Sequence, residues 1–107
     1  MVQEQSVVRE KVLRFYNEAC RSLPVKKMLL YGSYAKGLAT ESSDIDVAVV
    51  VDFPDHLKRI DLTSKLFHIA GKIDVAIEPK CVFWDEYRDC PEGSILSDII
   101  SSGIEVA

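Results

Sequence analysis

Apolar positions at the start of the chain recur at helical spacing. Val8, Val12, Phe15 or Tyr16, Ala19 and Leu23 fall on one stripe of a helix over about residues 5–23, which Pro24 stops. A short apolar run, Met28-Leu29-Leu30-Tyr31, ends at Gly32 and reads as a buried strand. Residues 33–37 suit a short helix with Ser33 near its start, and residues 40–43 a polar turn. From residue 44 to 52 the pattern alternates: Ile45, Val47, Val49 and Val51 share one face, and Asp44, Asp46, Ala48, Val50 and Asp52 the other. A second helix is expected from about residue 55 to 70, with Leu57, Ile60, Leu62, Leu66, Phe67 and Ile69 as its apolar positions and Gly71 as its stop signal. Residues 73–78 alternate again, with Ile73, Val75 and Ile77 against Asp74, Ala76 and Glu78. Residues 82–87 fit neither period. Residues 94–102 read as a helix closed by Gly103, and residues 104–106 as a short edge strand.

The two alternating segments carry the same pattern, Ile45-Asp46-Val47-Ala48-Val49 and Ile73-Asp74-Val75-Ala76-Ile77. The helix between them is long enough for a right-handed crossover, which makes the strands parallel. Paired in register, Asp46 and Asp74 stand side by side at one end of the sheet. Asp44 and Asp46, two residues apart on one strand face, complete a group of three acids. Like charges so close push a pKa upward or recruit a cation, and hard oxygen donors suit magnesium better than zinc. Alone, Asp44 and Asp46 would read as solvated residues at a strand start.

Gly32-Ser33 leaves a strand and enters a helix. Helix starts expose unpaired N–H groups that suit a phosphate, glycine permits close backbone approach, and the serine hydroxyl adds a donor. In isolation the pair reads as an ordinary turn with a helix cap. For a phosphate held there to face the aspartates, the first strand must end where the second begins, so those two strands are antiparallel and the sheet is mixed.

Composition narrows the class. The chain has 107 residues, 48% of them hydrophobic and 28% charged, the makeup of one ordinary globular domain over residues 1–107. No apolar run approaches a membrane span, and the opening MVQEQSVVREKV is polar where a secretory signal would be apolar, so a cytoplasmic protein is expected. A net charge of −4 argues against direct polynucleotide binding, although one nucleotide offset by a cation is compatible with it. Cys20, Cys81 and Cys90 lack metal-ligand spacing and read as free thiols. His56 and His68 read as surface or packing residues, and Trp84 with Tyr87 as either a partner-binding patch or a pair covering the core. Asp52 and Glu78 lie too far along their strands to join the acids as grouped above.

The string Gly32-Ser33-Tyr34-Ala35-Lys36-Gly37, a spacer, then Ser43-Asp44-Ile45-Asp46-Val47 resembles the two-part signature of the nucleotidyltransferase superfamily related to polymerase β. The resemblance extends over essentially the whole chain and is nearest to the minimal nucleotidyltransferases, usually encoded beside a helical partner of the HEPN family. It implies an α/β palm-like fold, a small mixed sheet with flanking helices. It implies that Gly32 and Ser33 hold the β- and γ-phosphates of ATP. Asp44 and Asp46 would then bind one Mg2+, and Asp46 and Asp74 a second. Lys36 stands where many relatives carry arginine; it keeps the charge without the planar fork.

A chain this small has little left over to bind an acceptor. The resemblance therefore implies the antitoxin of a toxin–antitoxin pair, one that moves AMP from ATP to a tyrosine hydroxyl of a HEPN toxin. Two further readings stay open: an antitoxin that neutralises its partner by docking without chemistry, and a small-molecule nucleotidyltransferase whose acceptor site forms across a homodimer.

Overall fold

In the computed structural model, which describes residues 3–40 and 42–107, the chain forms a four-stranded mixed sheet with helices on both faces. Helix α1 (Gln5–Cys20) turns Val8, Val12, Phe15 and Ala19 inward, as their spacing requires. Strand β1 (Val25–Tyr31) leads directly into the short helix α2 (Gly32–Lys36), which Gly37 ends in a left-handed conformation with φ 72°. The turn expected at residues 40–43 is held by Thr40 N donating to Ser43 Oγ at 2.8 Å and Ser43 N to Thr40 O at 3.1 Å; Glu41 lies outside the described residues. Strand β2 (Ile45–Val51) pairs antiparallel with β1, so the sheet is mixed as expected.

Asp55 caps a single 3₁₀ turn, His56–Lys58, by accepting from Leu57 N, and helix α3 (Arg59–Gly71) continues from it. Only part of its expected apolar face is inward. Leu62 and Leu66 are buried and Ile69 packs at the margin, whereas Leu57, Ile60 and Phe67 are exposed. Gly71 remains within α3, and Lys72 caps it in right-handed geometry.

The third strand departs most from the expectation. Residues 73–76 are a turn, and β3 (Ile77–Phe83) begins four residues later than the alternation suggested. It pairs parallel to β2 with Ile45 opposite Ile77, Asp46 opposite Glu78 and Val47 opposite Pro79. Pro79 is accommodated because β3 is an edge strand, where a missing N–H costs no ladder bond. Helix α4 (Trp84–Arg88) follows, then α5 (Ile95–Ser102), capped by Ser94 accepting from Ser97 N, and β4 (Ile104–Glu105), which closes the sheet order β3-β2-β1-β4.

Two cores sandwich the sheet. Ile45, Val47, Val49 and Val51 face α1 and α3, and Leu29, Ala48, Val50, Val82 and Ile99 form a smaller core beneath α5. Trp84 and Tyr87 stack with ring centroids 5.7 Å apart at the margin of this second core, which accounts for them as covering residues. His56 stacks on Phe83 at 4.2 Å and bonds Asp85 at 3.0 Å, a packing role. Among the described residues no helix is long and apolar enough to cross a membrane.

Candidate nucleotide-transfer site

The site grows from the β1–α2 junction. Tyr31 is the last residue of β1, its Cα paired with that of Asp46, and Gly32 turns the chain with φ +71°. That conformation favours glycine. A second constraint is steric: a Cβ built on Gly32 would run into Asp46 Oδ2. The glycine therefore lets the backbone lie against the carboxylate, so the start of α2 and the start of β2 form one wall. Ser33 stands next on α2, half-buried, and Lys36 is exposed on its last turn.

Asp44 is exposed just before β2, and Asp46 is half-buried on it. Burial, then the charge of Asp44, pushes the Asp46 carboxyl above its ordinary range. Glu78 occupies the β3 position facing Asp46. A shared hydrogen bond with Asp44, the charge of Asp44, burial and the charge of Asp46 all raise it. Tyr31 completes the group: burial first, then Asp46 and Glu78, hold its phenol above the usual value, so it is a hydrogen-bond donor at neutral pH.

Asp74 is absent from this group, which corrects the expected trio of Asp44, Asp46 and Asp74. It opens the turn 74–77, in which Ile77 N donates to Asp74 O at 3.1 Å and Ala76 N to Asp74 Oδ1 at 2.8 Å. An aspartate that satisfies its own backbone two residues on is a turn former, and this competes with extending the strand. Its Oδ2 receives Lys11 Nζ at 2.7 Å. Lys11 first, with the Ala76 N–H and Gln3 adding to it against burial, holds the Asp74 carboxyl below the ordinary range. Glu78, passed over in the sequence, takes the place beside Asp46. The sequence carried no direct signal for it, because Pro79 reads as a strand end although an edge strand tolerates it.

Tyr31, Asp46 and Glu78 line a cleft of about 380 Å³ that continues around the β3 edge to Arg59, Thr63 and Phe67 on α3 and to Lys80. A larger cavity, about 490 Å³, lies between the end of α1 and α3 around Leu23, Phe53 and Leu62; its charged lining is Lys58, Asp61 and Lys65, without a pair of carboxylates. The acid-lined cleft is the chemically equipped one.

Among the described residues no three acid, histidine or cysteine side chains are drawn into a ready coordination shell. The donor set nonetheless fits a hard divalent cation. Its members are carboxylates open to water, and the two with raised values are raised partly by each other's charge or that of Asp44, the condition a cation relieves.

Residues 12–101 match the nucleotidyltransferase domain family. A Methanocaldococcus jannaschii protein named as a candidate protein adenylyltransferase is 37% identical over 99 residues, covering 81% of this chain and 96% of that protein. Among solved structures, a nucleotidyltransferase-like protein from Sulfolobus solfataricus superposes with TM-score 0.63 at 17% identity, over 94% of this chain and 80% of that one. A toxin–antitoxin structure with AMP-PNP gives 0.55 at 22% identity, over 92% and 72%. A Shewanella oneidensis complex of a tri-AMPylated HEPN toxin with an MNT antitoxin gives 0.50 at 19% identity, over 97% and 72%. These superpositions show the shared fold. With most of its length inside the family's bounds and an acid-lined cleft against a Gly-Ser turn, this chain belongs to the nucleotidyltransferase domain family.

Proposed function

We propose that this chain transfers AMP from ATP to a tyrosine hydroxyl of a HEPN-family protein, acting as the antitoxin of a toxin–antitoxin pair. The observation that carries the transfer chemistry is the meeting of Asp44, Asp46 and Glu78 beside the Gly32-Ser33 turn. The protein acceptor is supported by the name of the M. jannaschii relative and by the AMPylated HEPN toxin in the Shewanella complex. The nucleotide is supported by the AMP-PNP complex of a protein with the same fold.

In this reading Gly32 N–H and the Ser33 hydroxyl receive the β- and γ-phosphates, and the Tyr31 phenol, kept protonated, donates to a phosphate oxygen. Asp44, Asp46 and Glu78 would hold Mg2+, which when bound neutralises the triphosphate, supports the departing pyrophosphate and lowers the pKa of the attacking hydroxyl. The acceptor oxygen bonds to the α-phosphorus as the bond from that phosphorus to the bridging oxygen breaks. Its proton passes to a carboxylate of the cluster. Lys36, exposed on α2, adds positive charge near the triphosphate.

The test is label transfer to a co-purified HEPN partner with α- or γ-labelled ATP in magnesium. Label from the α position only, on a partner tyrosine by mass, and abolished in Asp44→Asn/Asp46→Asn, is the expected result. Labelled small products and an unlabelled partner would replace the protein acceptor with a small-molecule one.

A further inference from the structure

Asp74 is tied to three elements at once. Its Oδ2 receives Lys11 Nζ at 2.7 Å and Gln3 Nε2 at 3.2 Å, and its Oδ1 receives Ala76 N at 2.8 Å. The Ala76 carbonyl then accepts Ile45 N at 2.8 Å, and Ile45 is the residue between Asp44 and Asp46. From the other side, Gln3 N donates to the Tyr34 hydroxyl at 3.4 Å and Gln5 Nε2 to Tyr34 O at 2.9 Å, so the same opening segment grips α2. A continuous path of hydrogen bonds thus runs from α2, which carries Ser33, through residues 3–11 to Asp74, and on through Ala76 to the backbone of the acid pair.

The side chains in the pair are mostly sheltered, Lys11 at 27% exposure and Asp74 at 14%. Removing one partner strands the other's charge where water reaches it poorly, a larger penalty than for a surface pair. Lys11 lies on α1, and its ammonium is engaged by Asp74 Oδ2 at 2.7 Å and by Gln3 Oε1.

We propose that the Lys11–Asp74 pair is a positioning device: it braces the 74–77 turn, and through Ala76 O the backbone between Asp44 and Asp46, against the opening segment that also holds α2, so that affinity for the triphosphate depends on the opening helix. This rests on the reading above that the nucleotide spans those two places. Asp74 acts through the turn it organises and touches neither metal nor nucleotide.

The experiment is calorimetric titration of ATP and of Mg2+ into the full chain and its variants Asp74→Asn, Lys11→Met, Lys11→Arg and Glu78→Gln. Asp74→Asn and Lys11→Met should each weaken ATP binding roughly five-fold, and the double variant should be no weaker than either alone. Both should keep the wild-type Mg2+ midpoint, which Glu78→Gln shifts, and Lys11→Arg should keep wild-type affinity. Wild-type ATP affinity in Asp74→Asn would overturn the proposal. So would a Mg2+ midpoint shifted in Asp74→Asn while Lys11→Met binds normally, because that pattern belongs to a metal ligand. If the wild type itself binds no ATP, the nucleotide reading fails. The pair is then judged by amide exchange at Ile45, which Asp74→Asn should accelerate about ten-fold and which unchanged exchange would refute.

Discussion

The strings Ile45-Asp46-Val47-Ala48-Val49 and Ile73-Asp74-Val75-Ala76-Ile77 differ by a methylene-sized change at one position, yet they have opposite fates. The first is a central strand with Val47 fully buried; the second is a turn with Val75 90% exposed. In the first, the aspartate points into a cluster of its own sign and is raised; in the second, it meets a lysine and is lowered. What separates them lies outside the strings. β2 has partners on both sides, β1 and β3, which satisfy its backbone along its length. Residues 73–76 follow α3 directly, where Ile73 N and Asp74 N still bond Ala70 O at 2.9 Å, so the chain is turning as the string begins. One aspartate thereby lies among carboxylates, and the other is neutralised by Lys11 and holds the turn that precedes β3.

The largest contrast between them should appear in transfer rate. Asp46→Asn is expected to lower labelled-AMP transfer about 10³-fold, against roughly five-fold for Asp74→Asn, by initial rates under saturating magnesium. Equal losses would erase the distinction. Next come the two valines: Val47→Ala should cost roughly 2 kcal/mol in urea unfolding, while Val75→Ala should stay within about 0.5 kcal/mol. Gly32→Ala tests the wall against Asp46. It forces a Cβ onto the carboxylate at a positive φ, so a loss of about 1–2 kcal/mol is expected together with a fall in transfer of at least about ten-fold.

The smallest effect is the most diagnostic in sign. A depressed carboxyl such as Asp74 contributes stability above its unfolded pKa that is lost as pH falls through the folded value. The raised Asp46 and Glu78 contribute only below their unfolded values, and that contribution is lost as pH rises through the folded ones. Without magnesium at neutral pH, Asp74→Asn should therefore destabilise the chain. Asp46→Asn should stabilise it, by about 0.5 kcal/mol after allowance for solvent screening. Urea titrations from acid to neutral pH would show the two differences moving in opposite directions.

Much of this organisation was legible in the residues. The α1 stripe, the alternation of β2, the antiparallel β1–β2 junction at Gly32 and the pairing of Asp44 with Asp46 follow from periodicity and from glycine's freedom. The third acid was not legible, for two physical reasons. Asp74 can bond its own backbone, and a period-2 pattern cannot reveal that competing turn. Pro79 then reads as the end of a strand, although at a sheet edge it is tolerated within one. On α3, Leu57, Ile60 and Phe67 have the right spacing for a buried face yet lie exposed, because the sheet takes up only the stripe of Leu62, Leu66 and Ala70.

The tie between Gln3 and Asp74 spans 71 positions. A ribosome delivers residues in order at about 5–20 per second, so α1 and the Gly32-Ser33 turn are made seconds before the turn that secures them. The aspartates of β2 likewise precede the glutamate that will stand beside them. A nascent chain halted before the residue-74 turn would carry the most recognisable part of its signature without the frame that holds it in place. The contacts that join the two halves of that signature therefore form late in synthesis, after residue 74 has emerged.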